Sequence, residues 1–276
     1  MDSLDLKPHK EVPCVIRTPS PSLGWRCELL WNLAWHRITL RYKETVFGFM
    51  WIFLQPVALT IIFTYIFHWF ARVPSGETPY PLFAAVGLVA WSLTSLVVSQ
   101  STICITSQTA LLRRVALPKI LLPFSVIIAT MADLCVMSIL LIILFFFFQT
   151  HVTWTGWFWL VLVFLTHMML LTGVACLVSA ANVFLKDVGQ AVPYLLQLWF
   201  FASPVFYPSS LVPRQFKTLA QWNPMGGLIE GYRAALLHGT SPPWELFWPA
   251  CCVSLIVFWI GISCLKKLET FLSDLL

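Results

Sequence analysis

The sequence predicts an all-α membrane protein with six transmembrane helices. Of its 276 residues, 59% are hydrophobic and only 11% are charged, and the mean hydropathy is +0.81. A soluble domain usually carries about 25% charged residues, so this chain has too little charge to cover a water-facing surface. The composition therefore excludes a soluble enzyme, a disordered chain and a disulfide scaffold.

Six apolar segments predict the membrane spans, each of which needs about 20 residues in a helix. They lie near residues 46–70, 81–105, 123–149, 156–182, 189–207 and 244–265. This division leaves thirteen lysines and arginines on the side of the termini and four on the other side. Because positive residues are retained in the cytoplasm, both termini are predicted to be cytoplasmic.

The chain before the first span is predicted to form two different regions. Residues 1–21 are expected to be a flexible cytoplasmic tail. Residues 22–44 place polar side chains on one helical stripe and Trp31 and Trp35 on another, which predicts a basic amphipathic helix in the membrane interface. This helix would be either a plain membrane anchor or a platform for a partner. Residues 45–276 would form the six-span transmembrane domain.

The second loop, residues 107–123, is a short amphipathic stretch with Arg113 and Arg114 at its centre. Pro118 is expected to end or kink any helix there, because proline lacks a backbone donor and clashes with the preceding turn. Two interpretations remain open from the residues alone. The loop is either a solvated basic connection or a cytoplasmic helix with a role of its own.

The fifth span is short and interrupted by Pro204 and Pro208. Two short helices are predicted after it, within 211–222 and 223–239. For the second, Asn223 is a suitable N-cap, Pro224 suits the first helical position and Gly239 suits the C-terminus. Broken backbone of this kind is tolerated only against protein or a water-filled cavity, which favours a membrane pathway over a plain outer cap.

Two charged or ionisable pairs stand out near these segments. Glu230 and Arg233 are three residues apart, so they are expected to meet on an exposed helix face. Asp133 and His167 fall near the middle of the third and fourth spans, where ionisable residues are costly. We predict a buried Asp133–His167 pair, which would be either a structural contact between two helices or, less simply, part of a proton relay.

One face of the first span and one face of the fifth carry aromatic rings and an amide. Sugars present C–H faces to aromatic rings and hydroxyls to amides, so two such helices could line a route for a sugar chain. Ordinary helix packing would produce a similar stripe. The candidate lining residues are Trp51, Gln55, Tyr65, Trp69, Tyr194, Gln197 and Phe201.

The sequence lacks the motifs of common enzyme classes. It contains no GxxxxGK[ST], so no nucleotide is expected to bind through a P-loop. It also contains no HExxH, no GxSxG and no clustered histidines or cysteines that would ligate a metal. No cofactor is therefore expected on this chain, and a net charge of +5 is too small to indicate a nucleic-acid partner.

Four segments resemble the permeases of polysaccharide-exporting ATP-binding-cassette transporters, which export lipid-linked O-antigen or teichoic acid. They are RYKETVFGFMWIFLQP (41–56), LLRRVALPKILLP (111–123), DVGQAVPYLLQLWFFASPVFYP (187–208) and NPMGGLIEGYRAALLHG (223–239). They follow the order of that family, and the resemblance covers most of the chain after residue 25.

The resemblance implies a non-enzymatic permease in a bacterial plasma (inner) membrane. It would form a homodimer, with the glycan channel between the first and fifth spans, and bind two ATPase subunits that hold the ATP and magnesium. The loop after the second span would be a coupling helix, and the helices after the fifth would be an outer gate. The coupling residues would be Leu112, Arg113, Arg114, Pro118 and Lys119, and the gate residues Asn223, Pro224, Glu230 and Arg233.

Other functions are kept as alternatives. A small-molecule or drug exporter of the same permease superfamily would share the span pattern, although the aromatic faces favour a glycan. A membrane-embedded glycosyl- or acyltransferase would need a cluster of Asp, Glu or His near one interface, and the sequence shows none. A purely structural membrane scaffold would leave the broken fifth span unexplained.

Overall fold

The computed structural model describes residues 23–43, 48, 50–70, 78–109 and 118–274. Within these ranges it contains helices, turns and loops but no strand, which confirms the predicted all-α class. The predicted tail lies outside the described residues. The nine α-helices of this part are α1 (Leu23–Lys43), α2 (Met50–Phe63), α3 (Tyr80–Ile103), α4 (Leu121–Phe147), α5 (Trp154–Phe184), α6 (Val188–Ala202), α7 (Lys217–Gln221), α8 (Pro224–Arg233) and α9 (Trp244–Asp274).

Five helical stretches are long and apolar enough to cross a membrane, and they match predicted spans one to four and six. They are Met50–Phe67, Tyr80–Ile103, Leu121–Phe147, Trp154–Phe184 and Trp244–Thr270. The predicted fifth span is shorter than expected, because α6 has 15 residues and extends only about 22 Å. The helix ends before Pro204, so the backbone that follows must find hydrogen-bond partners elsewhere in the protein.

Helix α3 forms the centre of the bundle and contacts α2, α4, α5, α6 and α8. Its side chains are mostly buried, as expected for a helix that is apolar around its whole circumference. A methyl group added to Gly87 would collide with the backbone of Val205, in the segment that follows α6. The interrupted end of α6 therefore lies directly against α3.

Helices α5 and α9 pack backbone to backbone through two glycines. A methyl group on Gly173 would collide with the backbone of Val257, and one on Gly261 would collide with Gly173 itself. Small residues permit this close approach between membrane helices, where van der Waals contact replaces the hydrophobic effect as the driving force. The pair holds the two longest helices of the described chain in a fixed register.

The helices alternate in direction and so define two ends of the bundle. At one end, α1 packs on the end of α3, the start of α4 and the ends of α5 and α9. We call this the α1 end, and its buried cluster contains Leu33, Cys104, Ile105, Leu122, Val126, Cys176, Ala180, Leu265 and Leu268. The opposite end, called the far end, contains the end of α6, the segment 203–243 and the start of α9.

Candidate functional site

A cavity of about 340 Å³ lies between α2, α3 and α6. Gln55 of α2 and Gln197 of α6 both line it, so the structure brings these two predicted residues together. Neither amide forms a hydrogen bond with another residue of the described chain, which leaves both available to a ligand. α3 contributes a polar stripe that sequence analysis missed, although its helical spacing was readable: Ser92, Ser95 and Ser99.

Proline interrupts both helices beside this cavity. Pro56 lies inside α2 and Pro193 inside α6, and both line the cavity wall. A proline inside a helix removes one backbone hydrogen bond and commonly bends the helix. The carbonyl groups of Ile52 and Gly189 therefore lose their usual backbone donors. Carbonyl groups freed in this way add polar character to a membrane cavity without adding charge.

The other predicted lining residues do not reach this cavity within one chain. Their side chains lie on the outer faces of α2 and α6, with between 57% and 74% of their surface exposed. We call these five exposed aromatic residues the outer aromatic face: Trp51, Tyr65, Trp69, Tyr194 and Phe201. In a single chain this face is open to lipid or to a second protein copy.

An aromatic cluster lies beside the cavity towards the far end and includes Phe200, which lines it. Phe206 stacks on Phe63 and Phe67 of the α2 helix and its π-helical continuation, with ring centroids 4.7 and 5.0 Å apart. Phe200 of α6 meets the same ring edge-on at 5.3 Å. Phe206 lies in the broken segment after α6, so this segment takes part in the aromatic cluster.

Arg233 holds the broken segment in place and is not the exposed residue that the sequence predicted. Its side chain is only 2% exposed. It donates hydrogen bonds to the carbonyl oxygens of Pro204 at 2.9 Å, Val205 at 2.6 Å and Phe83 at 3.3 Å. The guanidinium carbon also lies 3.5 Å from the centre of the Phe83 ring. One side chain thus supplies donors that the interrupted helix lacks.

Two further side chains complete these contacts. Glu230 forms the expected ion pair with Arg233 at 3.2 Å and also accepts a hydrogen bond from the backbone N–H of Ser209 at 3.1 Å. The Tyr80 hydroxyl donates to the carbonyl oxygen of Phe206 at 2.7 Å. The predicted pairing of Glu230 with Arg233 is correct, but the predicted exposure of Arg233 is wrong. Arg233 is buried because α8 packs against the broken segment.

Asn223 joins the start of α8 to the end of α6. The predicted N-cap is confirmed, because the Asn223 side chain accepts a hydrogen bond from the backbone N–H of Met225. The same oxygen accepts from the Trp199 indole N–H at 2.9 Å. The amide nitrogen donates to the Ala202 carbonyl at 3.1 Å and the Ser203 hydroxyl at 3.0 Å.

We expect Asn223→Ala to lower the free energy of unfolding by about 1–2 kcal/mol, the upper part of the range for a lost helix cap. The additional contacts to α6 explain why the upper part applies. Thermal unfolding in detergent micelles would measure the change. Gln215→Ala, an exposed substitution in the same segment, is the control and should leave the unfolding temperature unchanged. Equal stability of the two variants would contradict the prediction.

The predicted Asp133–His167 pair is wrong. Asp133, which is fully buried, forms an ion pair with Arg41 of α1, and Arg41 also bonds to Gln100 of α3. His167 instead contacts the hydroxyls of Thr94 at 2.9 Å and Tyr232 at 3.1 Å. Position along a helix does not determine the face on which a residue lies, so residues at similar positions in two neighbouring helices need not meet.

The described part of the second loop is anchored to α9. The backbone N–H of Lys119 donates to Glu269 at 2.6 Å, and Lys119 is only 8% exposed. Burial lowers the pKa of the Lys119 amine, and the carboxylate of Glu269 opposes that shift. Pro118 precedes this anchor, whereas Leu112, Arg113 and Arg114 lie outside the described residues.

The described residues contain no group of three or more His, Cys, Asp or Glu side chains that could hold a metal ion. The polar and aromatic side chains that line the cavity between α2, α3 and α6 are amides, serine hydroxyls and rings of Trp91 and Phe200. These groups can contact a ligand through many weak interactions.

Comparison with known proteins places this architecture in a family. Residues 28–237 match the family described as ABC-2 type transporter. O-antigen export system permease protein RfbA of Myxococcus xanthus is 29% identical over 241 residues, which is 85% of this chain and 90% of that protein. A protein of the same name from Klebsiella pneumoniae is 23% identical over 257 residues, covering 92% and 97% of the two chains.

A third relative is polysialic acid transport protein KpsM of Escherichia coli. It is 22% identical over 233 residues, which is 84% of this chain and 90% of the relative. All three relatives are named as permease or transport proteins rather than as enzymes, in agreement with the resemblance seen in the sequence. This chain is a membrane permease that belongs to the ABC-2 type transporter family.

Proposed function

We propose that this chain is the permease subunit of an ATP-driven exporter that moves lipid-linked polysaccharide across the bacterial plasma membrane. The glycan would be O-antigen-like or teichoic-acid-like and would pass through a channel at a homodimer interface. The observation that carries the proposal is the cavity that Gln55 and Gln197 both line, between two helices that each contain a proline. Relatives named for O-antigen export and polysialic acid transport support a polysaccharide as the substrate.

The chemistry of the cavity suits a moving polymer. A substrate that is bound too strongly cannot leave, as holds for ions in a channel. Amides, serine hydroxyls and aromatic rings contact a sugar weakly and in many orientations. Charged side chains would bind more strongly and would cost about 2.5–3.5 kcal/mol each at the centre of a membrane helix. The lining therefore favours passage of a hydroxyl-rich chain over storage of one ligand.

A second copy of the chain would complete the channel. The outer aromatic face belongs to the same two helices as the cavity and remains exposed in one chain. Pairing two such faces would enclose a route lined by rings and would remove large aromatic side chains from lipid. The gate would be the segment 203–209 with α8, since Phe206 packs beside the cavity on Phe63 and Phe200 and Arg233 positions the backbone around it.

Energy would come from two separate ATPase subunits that bind the ATP and magnesium. They would contact the α1 end, where both termini are expected to face the cytoplasm. We assign direct contact to Leu112, Arg113 and Arg114, while buried Lys119 anchors the segment after Pro118 to α9. A movement of the loop caused by the ATPase would then be transmitted to α9 and, through the contact of Gly173 with Gly261, to α5.

Replacing Arg113 and Arg114 together with glutamate should abolish export and co-purification of the ATPase, because the charge of the docking segment is reversed. The thermal unfolding temperature should stay near that of the unaltered protein. Lys266→Glu with Lys267→Glu makes the same change of charge at exposed positions of the α1 end and should retain ATPase binding. Normal export by the Arg113 and Arg114 variant would refute the coupling role.

The channel lining is tested by Tyr65→Ala and Phe201→Ala. Each substitution should slow export about threefold to tenfold, which corresponds to roughly 0.7–1.4 kcal/mol in the activation free energy. The reason is that the glycan loses contact with an aromatic ring, and this contact compensates for the water that the glycan gives up in the channel. ATPase binding should persist. Ile256→Ala, at an exposed apolar position of α9, is the control. A dimer structure in which Tyr65 and Gln197 face lipid would refute the proposed channel lining, even if the export function itself is confirmed.

The substrate class is tested by deleting the gene in its native host and measuring lipid-linked glycan on each side of the membrane. Accumulation on the cytoplasmic side is the expected result. An unchanged glycan distribution with altered drug tolerance would favour the small-molecule exporter and would refute the proposed substrate.

A further inference from the structure

A second cavity, of about 450 Å³, lies at the far end between the segment 202–221 and the start of α9. It shares no lining residue with the cavity of Gln55 and Gln197. Its volume is within the range of about 300–1,000 Å³ that is typical of small-ligand sites. We call it the far-end cavity. Its charged residues, Lys217 and Glu245, have no role in the function proposed above.

Two opposite charges line this cavity without neutralising each other. Lys217 of α7 and Glu245 of α9 both contribute to the wall, yet in the described structure neither forms an ion pair or a side-chain hydrogen bond. Gln221 lines the same wall. An ammonium group donates, a carboxylate accepts and an amide does both. This set therefore matches a ligand with many hydroxyl groups, each of which both donates and accepts.

Aromatic rings supply the apolar part of the wall. Trp244 is half exposed, and its ring is held edge-on by Trp159 at 5.8 Å and Phe247 at 5.9 Å. Tyr207 also lines the wall; its hydroxyl donates to the Phe201 carbonyl oxygen at 3.5 Å and keeps its lone pairs as acceptors for a ligand. Fixed rings beside polar groups present a flat surface to the C–H face of a sugar.

The far-end cavity is connected with the proposed path. A neighbouring cavity of about 800 Å³ shares Tyr207 and Val212 with it and is also lined by Phe67 and Trp199. Phe67 extends from α2 and Trp199 belongs to α6, the two helices of the proposed channel. A glycan that passes Phe206 would therefore reach the far-end cavity while staying in contact with the protein.

We infer that the far-end cavity binds a sugar unit of the exported glycan as it leaves the channel, an inference that rests on the proposed function. The ligand is a hydroxyl-rich ring rather than the phosphate of a lipid headgroup, because Lys217 and Glu245 give the wall no net charge that would favour a bare anion. Binding at this position would hold the emerging chain and hinder its return.

Photo-crosslinking in the intact transporter of the native host tests this inference. Ser210→p-benzoylphenylalanine places the crosslinker in the cavity wall, and Trp259→p-benzoylphenylalanine places it on the exposed apolar face of α9. Illumination during export should attach a polysaccharide ladder, seen with glycan stain, to the first variant and not to the second. Adding Glu245→Gln or Lys217→Met should lower the yield roughly threefold to tenfold.

The outcomes separate this inference from the proposed function. If the host exports glycan normally but position 210 yields no ladder, or captures lipid only, the inference is overturned while the export function stands. If no glycan accumulates on deletion of the gene, the proposed function fails and the inference fails with it. An undiminished yield in both the Glu245→Gln and Lys217→Met variants would also overturn the polar contacts assigned here.

Discussion

Replacing Arg233 with methionine is expected to lower the free energy of unfolding by about 3–5 kcal/mol, the usual effect of removing one partner from a buried ion pair. The guanidinium satisfies the carbonyl oxygens of Pro204, Val205 and Phe83 as well as Glu230. Methionine fills similar volume but donates no hydrogen bond. Buried carbonyls without donors are costly. The segment after α6 should therefore separate from α3, and α8 should lose its contacts with that segment.

Thermal unfolding in detergent micelles and an export assay would measure this effect together. Arg214→Met removes the same charge from an exposed position in the same region and should change stability by no more than about 0.5 kcal/mol. Arg233→Lys should recover little, because one ammonium cannot reach the carbonyls that the planar fork spans. A stable Arg233→Met variant with normal export would show that water satisfies this backbone instead.

Signals local to the chain predicted much of the fold. Long apolar runs located five of the spans, since a helix must satisfy its backbone within the membrane. Asn223 was recognised as an N-cap because its side chain and the following proline act over only three residues. Gly239 adopts a positive φ of 63°, as expected for a residue that ends a helix. Local chemistry is sufficient for such features.

The site was predicted only in part, because helix periodicity specifies a face but not its neighbour. Gln55 and Gln197 were placed on facing helices correctly, whereas Phe206 was not recognised. Its ring lies beside the cavity because Arg233 and Tyr80 hold the broken backbone against α3. Tyr80 and Phe206 are 126 positions apart, and Phe83 and Arg233 are 150 positions apart. The burial of Arg233 has the same cause and could not be read from the spacing of Glu230 and Arg233.

The error at Asp133 arose from treating α1 as a helix that lies apart from the bundle. Leu33 and Ala34 of α1 are buried, and the Arg37 side chain donates to the Ser125 hydroxyl of α4 at 3.0 Å. α1 therefore follows α4 from its start towards Asp133. An arginine that the sequence assigned to the membrane surface becomes the partner of a fully buried carboxylate.

Arg41→Met is accordingly expected to destabilise the protein by about 3–5 kcal/mol, because it leaves the buried Asp133 carboxylate without its cation. The double variant Arg41→Met with Asp133→Leu should recover most of that loss, since a buried ion pair can be replaced by apolar side chains at little cost. Arg37→Met, on the same helix, removes one hydrogen bond from a charged donor to a neutral hydroxyl and should cost about 1.5–3 kcal/mol, less than Arg41→Met.

Thermal unfolding of the unaltered protein, the two single variants and the double variant would test this order of stability. Co-purification of the ATPase would show whether α1 keeps its position on α4. If α1 helps to receive the ATPase, Arg41→Met should weaken that binding and the double variant should restore it, because recovery of packing returns α1 to α4. A single variant as stable as the unaltered protein would mean that Asp133 does not depend on Arg41. A double variant no better than the single would mean that the charge itself, rather than the contact of α1 with α4, is required.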